Sequence, residues 1–299
     1  MEEREKNRVE EGTLYLVGTP IGNLADLSER AKKVLSEVDF VAAEDTRGSF
    51  RLLSCFGIHT ELVSYFEHNK KASGERILER LERGESCALV TDAGMPAISD
   101  PGEDIVRLCA EKGIPVRVVP GPCAAVSALA LSGLPTGKFV FEGFLSAVRG
   151  ERVKRLGLLA TEERTVIVYE APHKLRRTLA DLSEIFGKSR KIAICRELTK
   201  INEEILRFSM EEAVAYYQEH EPRGEYVLVV EGARAGAGCD EPPETILSPP
   251  EQVAALEAEG MSRSDALKAA ARAYGMKKSD FYRLLEEEKD KVRKDVEPE

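Results

Sequence analysis

Four short stretches of this chain gather residue types that can do chemistry. Residues 44–47, Glu-Asp-Thr-Arg, end the apolar run FVAA. A carboxylate at Glu44 or Asp45 can accept a proton or orient a hydroxyl, and Arg47 can hold a phosphate or a carboxylate with its planar fork. The same acidic pair can also do no more than cap a helix. Residues 92–102, DAGMPAISDPG, follow the run CALV and bring two Gly, two Pro and two Asp into one loop. Its amides and carbonyls can bracket a polar zwitterion such as methionine; the plainer reading is a rigid turn with Asp92 or Asp100 as a cap. In GTPIGN, residues 18–23, Gly18 and Gly22 let the backbone approach a ligand closely and Pro20 stiffens the loop, although a simple strand-to-helix turn looks the same. In PGPCAAV, residues 120–126, the small side chains Cys123, Ala124 and Ala125 open a helix. They leave room for a ring on the backbone, or for close packing of that helix on a sheet.

These stretches need elements to hold them, and each follows an apolar run. Residues 13–17, 40–43, 62–65, 87–90 and 116–119 read as strands. Helical spacing intervenes at Leu27, Ala31, Val34, Leu35 and Val38, again at Ile77, Leu78 and Leu81, and again at Ile105, Val106, Leu108 and Cys109. Asp26 or Ser28 can cap the first of these helices. Short apolar strands alternating with helices predict an α/β fold with a largely parallel core sheet, in which ligands bind beyond the carboxyl ends of the strands. From residue 124 the pattern changes. A helix over 124–131, the aromatic alternation FVFEGF at 139–144 and a basic helix from about Glu151 lead into strands at 166–169, 192–195 and 226–230, with helices at 173–186 and 211–218. This second α/β unit is more hairpin-like. A Gly/Ala/Pro-rich stretch follows, and the remainder reads as helix, with Ser262 and Asp265 at one start, Gly275 at a stop and Ser279 at a further cap. The expected division is a solvated tail at 1–12, α/β units at 13–122 and 123–233, a linker at 234–249 and a helical unit at 250–299.

Composition excludes several classes. Lys and Arg total 43 against 53 Asp and Glu, a net charge of −10, which counts against coating nucleic acid with the whole surface. Two basic clusters remain: Arg149, Arg152, Lys154 and Arg155 around the single acid Glu151, and Lys188, Arg190 and Lys191. Either is a local phosphate-binding rim or an ordinary solvated face. No run nears the roughly 20 apolar residues of a membrane span, and the charged start MEEREKNRVEEG has no apolar core of a signal peptide. Six cysteines without CxxC read as small buried hydrophobes in a reducing cytosol. Four histidines without ligand spacing predict no metal site. P-loop, GxGxxG and GxSxG motifs are all missing.

Together the segments at 14–31, 41–47 (VAAEDTR), 89–102 (LVTDAGMPAISDPG), 118–135 (VVPGPCAAVSALALSGLP), 141–145 (FEGFL), 169–175 (YEAPHKL) and 223–232 (RGEYVLVVEG) resemble the tetrapyrrole methylase superfamily. Within it they resemble the branch that methylates a cytidine ribose 2′-oxygen in 16S rRNA at the decoding centre of the small ribosomal subunit. Met95 stands where that branch usually has Thr. The resemblance implies two α/β domains around a cleft for S-adenosylmethionine, a cytoplasmic homodimer, and 16S rRNA, within the 30S subunit, as partner, with neither membrane nor DNA. The cofactor is expected at Pro20 and Ile21, at Asp92, Ala93, Gly94, Met95 and Ile98, at Cys123 and Ala124, at Tyr169 and Glu170, and at Gly224, Glu225 and Tyr226. Glu44 and Asp45 are the candidate bases, Arg47 positions the RNA, and His68 and Asn69 rank second. The basic residues Arg149, Arg152, Lys154, Arg155, Lys188 and Arg190 are the expected RNA rim. The competing expectations are a tetrapyrrole or protein side-chain substrate on the same fold, or a DNA-binding module in the helices at 262–290.

Overall fold

The computed structural model describes residues 8–66, 70–233, 249–258, 260–274, 280–283 and 285. The first sheet is five-stranded and wholly parallel: β1 (Leu14–Val17), β2 (Phe40–Ala43), β3 (Glu61–Ser64), β4 (Cys87–Val90) and β5 (Val116–Val119), in the order β3-β2-β4-β1-β5. The central strands β2 and β4 are buried at every position, which is why they read as unbroken apolar runs. Helices cover both faces. α1 (Glu29–Glu37) and α2 (Thr46–Cys55) pack on the face carrying Val17, Val41 and Val90. α3 (Lys70–Glu82) and α4 (Glu103–Lys112) pack on the face carrying Leu14, Phe40 and Leu89. Ser28 caps α1 by accepting from the Ala31 amide, whereas Asp26 lies in a short 3-10 turn before it.

The second sheet runs β6-β7-β10-β8-β9, from β6 (Phe139–Phe144), β7 (Thr165–Glu170), β8 (Lys191–Arg196), β9 (Glu204–Ser209) and β10 (Tyr226–Val230). Only β6 and β7 are parallel; the other pairs are antiparallel. α6 (Arg149–Leu159), α7 (Pro172–Phe186) and α8 (Met210–Glu219) bury Val166, Val168, Ile192, Ile194 and Leu228. The alternate positions Ile167, Ala193, Cys195, Val227 and Val229 face α5 (Ala124–Ser132), the period-two division expected of strands. Beyond the second sheet, α9 (Pro249–Ala258) and α10 (Arg263–Ala273) share a small core of Val253, Ala266, Leu267, Ala270 and Phe281. Ser262 caps α10. The expected stop at Gly275 and cap at Ser279 lie outside the described residues, as do residues 1–7 of the tail and 234–248 of the linker. Of the tail, Gly12 is bonded to the body, its amide donating to the Gly84 carbonyl.

The arrangement differs from the expected one at two elements. Residues 46–55 form α2, because Asp45 caps it and Ser49 and Leu53 supply a narrow buried stripe. Residues 204–209 form the edge strand β9, half-buried and hydrogen-bonded on one side to β8.

Candidate active site

The loops that end β1, β4 and β5 converge. The Thr19 amide donates to the Gly94 carbonyl and the Gly94 amide donates back to Thr19, while the Thr19 hydroxyl reaches the Thr91 carbonyl at 3.1 Å. Gly18 meets Gly121 backbone to backbone: a Cβ added at Gly18 would lie 2.6 Å from the Gly121 Cα. Neither loop can carry a side chain there without separating from the other. From the second sheet the segment after β8 reaches back. Leu198, Thr199 and Lys200 press on Gly22, where an added Cβ would stand 2.4 Å from the Lys200 Cγ. Lys200 pairs with Glu197 at 2.9 Å and with Glu225 at 2.8 Å.

Between these loops lies a cavity of about 430 Å³. Of the expected cofactor contacts, Ile21, Asp92, Ala93, Gly94, Met95, Ile98, Cys123, Ala124, Tyr169, Glu170, Glu225 and Tyr226 all line it. Two stand back from the wall. Pro20 is buried behind Ile21, and Gly224, with φ +82°, turns the chain beneath the Glu197 carboxylate. Further lining comes from Ser99, Asp100, Phe144, Ala171, Cys195 and Leu198. Ser99 and Asp100 belong to a loop whose Gly, Pro and Asp content already marked it; Cys195 and Leu198 gave no signal, because a strand end reads as core.

Two wall groups are held by their own hydrogen bonds. The Tyr169 hydroxyl accepts from the Ala125 amide at 3.1 Å, so β7 anchors the start of α5, and burial raises this phenol to about 12. Phe141 and Phe144 meet the Tyr169 ring edge-on. The buried Glu170 carboxylate accepts from the Ala171 amide at 2.8 Å and from the Thr178 hydroxyl at 2.5 Å. It therefore fixes the start of α7 as well as lining the cavity.

The acidic strand end adjoins the same wall. Thr91 donates to Glu44 Oε2 at 3.3 Å, and the Asp45 amide donates to Asp92 Oδ1 at 3.3 Å. The Asp45 carboxylate caps α2, accepting from the Arg47 amide at 2.9 Å, and that bond holds it below its usual range. Asp100 goes the other way. Burial, opposed by a hydrogen bond from Thr91 and aided by the like charges of Glu44 and Asp92, pushes it up to about 6. Arg47 projects outward with its side chain 93% exposed. His68 and Asn69 lie outside the described residues.

The expected RNA rim is placed differently. Arg152 is 5% exposed and paired with Asp181, itself 6% exposed, at 2.7 Å. Arg149 shares Asp181 and Glu184, Arg155 pairs with Glu142, and Lys188 with Glu211. Arg190 donates to the carbonyls of Glu231 and Ala160. Lys154 alone of the six is exposed without a partner among the described residues. Those guanidiniums tie helices and strands together. The cysteines divide too: Cys87, Cys109 and Cys195 are buried, but Cys55 is exposed, Cys123 faces the cavity and Cys239 lies outside the described residues. Among the described residues no cluster of His, Cys, Asp and Glu is placed to hold a metal ion, and no helix is long and apolar enough to cross a membrane.

Two α/β sheets enclosing a cavity built from strand-end loops, with residues 13–214 matching the model of the Tetrapyrrole (Corrin/Porphyrin) Methylases, place the chain in that family of methyltransferases. Its relatives narrow the class. A protein of Synechocystis called Ribosomal RNA small subunit methyltransferase I is 44% identical over 280 residues, 93% of this chain and 99% of the relative. One of the same name from Halalkalibacterium halodurans is 46% identical over 283 residues, 95% of this chain and 98% of the relative. Among solved structures, uroporphyrin-III C-methyltransferase from Thermus thermophilus complexed with S-adenosylhomocysteine superposes with a TM-score of 0.51 at 21% identity, covering 73% of this chain and 97% of that one. That likeness concerns the fold.

Proposed function

We propose that this chain methylates the ribose 2′-hydroxyl of a cytidine in the decoding centre of 16S rRNA, acting on the 30S subunit in the cytoplasm. The observation that carries the reading is the hydrogen-bonded junction of Glu44 and Asp45 with Thr91 and Asp92. It joins a cavity of cofactor size to an open surface with Arg47 at its edge. The names of the relatives support RNA as substrate, and only RNA offers a 2′-hydroxyl. Apolar side chains left exposed on α5, Val126 and Leu131, support a homodimer.

The cavity suits S-adenosylmethionine. Its volume falls in the ordinary range for a ligand of that size, roughly 300–1,000 Å³, its lining is mostly apolar, and the 92–95 loop and the start of α5 both lie on its wall. The cofactor supplies an electrophilic methyl group when bound. The protein's part is to hold the acceptor oxygen in line with it, to exclude water with Ile21, Ile98 and Phe144, and to take the hydroxyl proton at a carboxylate. Glu44 is the first candidate for that role, Asp45 the second, with Arg47 positioning the RNA backbone.

Asp100 gives this reading a pH signature. Above about pH 6 its charge favours a cation in the same cavity; as pH falls through about 6 it takes up a proton and that attraction disappears. Folding has the opposite sign. A carboxyl raised from 3.8 binds protons more readily when folded, so its contribution to stability grows as pH falls from about 6 toward 3.8. The affinity for S-adenosylmethionine is expected to weaken below pH 6, that for S-adenosylhomocysteine, which lacks the sulfonium charge, much less, and Asp100→Asn should flatten the difference. Calorimetric titrations from pH 5 to pH 8 check this; parallel profiles for the two ligands would separate Asp100 from the cationic centre.

The deciding experiment for the reading as a whole is tritium transfer from labelled S-adenosylmethionine to 30S subunits lacking the modification, followed by nuclease mapping. Label at a decoding-centre cytidine ribose is expected. Absence of label in the 30S RNA, with cofactor binding intact, moves the substrate to another RNA or to a small molecule.

A further inference from the structure

We propose that the outward face of α2, formed by Arg47, Phe50 and Arg51, is a platform for single-stranded RNA: Phe50 stacks on one base and the two guanidiniums hold the neighbouring phosphates. The proposal rests on the reading that the substrate is RNA. The three residues stand at i, i+3 and i+4, so one face of the helix presents them together, and they line one open depression with Leu62 and Ser64. Phe50 is 62% exposed and belongs to none of the hydrophobic clusters that α2 helps build, where Leu53 does the packing. An aromatic ring bare to water between two arginines has no structural task here. It offers what an unpaired base needs, a flat apolar face flanked by cations.

The electrostatics favour the same ligand. In a chain of net charge −10, most cations of the basic clusters are committed to acids or carbonyls, as described above. Arg51 makes no hydrogen bond or ion pair among the described residues, and the Arg47 guanidinium approaches only Asp45, at 3.7 Å. Among the described residues lining the depression Asp45 is the one carboxylate, and its charge is turned onto the backbone amide that starts α2. Position agrees. Asp45 lines the depression, Asp92 lines the cavity, and a hydrogen bond joins them. A strand lying on α2 can thus place one nucleotide at the cavity mouth and its neighbour on Phe50.

The test uses the full chain, a short fluorescein-labelled single-stranded RNA containing cytidine, and anisotropy titrations over a salt series, with methyl transfer to 30S subunits measured in parallel. Phe50→Ala is expected to weaken RNA binding roughly five- to hundred-fold at fixed salt without changing the salt slope, and Phe50→Trp to keep it. Arg51→Gln is expected to make the log–log slope shallower by about 0.7, the value for one lost phosphate contact on a single strand. Affinity for S-adenosylmethionine should stay constant throughout, which also reports that the variants are folded. If the wild-type enzyme labels RNA while Phe50→Ala and Arg51→Gln bind it unchanged, the platform is wrong and the function stands. A loss in Phe50→Ala that Phe50→Trp shares also overturns stacking. If the wild type neither binds nor labels RNA, both readings fall.

Discussion

Replacing Glu44 with Gln is expected to slow methyl transfer by roughly 10²–10⁴-fold, the usual contribution of a general base, while cofactor affinity changes no more than a few-fold. The side chain keeps its size and its acceptor oxygen for the Thr91 hydroxyl, so the fold has little reason to respond. What disappears is the ability to take a proton. Asp45→Asn is the necessary companion. Its carboxylate already serves the Arg47 amide and is held below the usual range by that bond, which makes it the weaker base, and Asn caps a helix about as well as Asp. Single-turnover transfer at saturating cofactor separates the two. Loss with Glu44→Gln alone assigns the base to Glu44, loss with Asp45→Asn alone assigns it to Asp45, and wild-type rates in both move the proton acceptor to another group such as Asp100.

The second large effect concerns folding. Asp181→Ala is expected to destabilise the protein by about 3–5 kcal/mol, because it leaves the buried Arg152 guanidinium without its counter-charge. In thermal unfolding this corresponds to a fall in Tm on the order of 10 °C. Replacing both partners with apolar residues of similar size, Arg152→Met with Asp181→Leu, should recover much of the loss. Recovery stays partial, since the Ser146 and Ala147 carbonyls also lose the donor they share in Arg152. The double variant carries a second reading: an unchanged salt slope for RNA binding would confirm that this cation joins α6 to α7 rather than facing phosphate. A slope that drops by a full contact would return Arg152 to the RNA footprint.

These cases show what the sequence could and could not convey. The inner strands β1, β2 and β4 were legible because they are buried almost throughout and so read as unbroken apolar runs, whereas the edge strands β3 and β5 carry the exposed Glu61 and Arg117. The cavity loops were legible because backbone packed as closely as Gly18 on Gly121 needs Gly at fixed places, and those residues are visible one at a time. The element α2 was not, since its buried stripe is only Ser49 and Leu53, and β9 was not, since an edge strand keeps polar residues on its open side. The pairing of the basic run at 149–155 was hidden for a different reason. Its neutralising acids, Glu142, Asp181 and Glu184, lie outside the run itself, so a local count of charges finds only Glu151. The environment of Asp100 is likewise hidden: burial raises it first, and the like charge of Glu44 reaches it only through the pairing of β2 with β4.

The order β3-β2-β4-β1-β5 also has a consequence for how the chain emerges during synthesis. Leu14 pairs with Cys87 on one side and with Val116 on the other, and with nothing in between. The first strand to be made must therefore wait for β4, and at roughly 5–20 residues per second that is an interval of several seconds with its amides and carbonyls unmatched. Until then the β2–β3 pair can form without it. Only when residue 119 has been added can the sheet close on both edges of β1 and bring Gly18 against Gly121. The cavity is later still, because the part of its wall that Tyr169, Glu170, Glu225 and Tyr226 supply belongs to the second sheet and is made only after the first sheet can close.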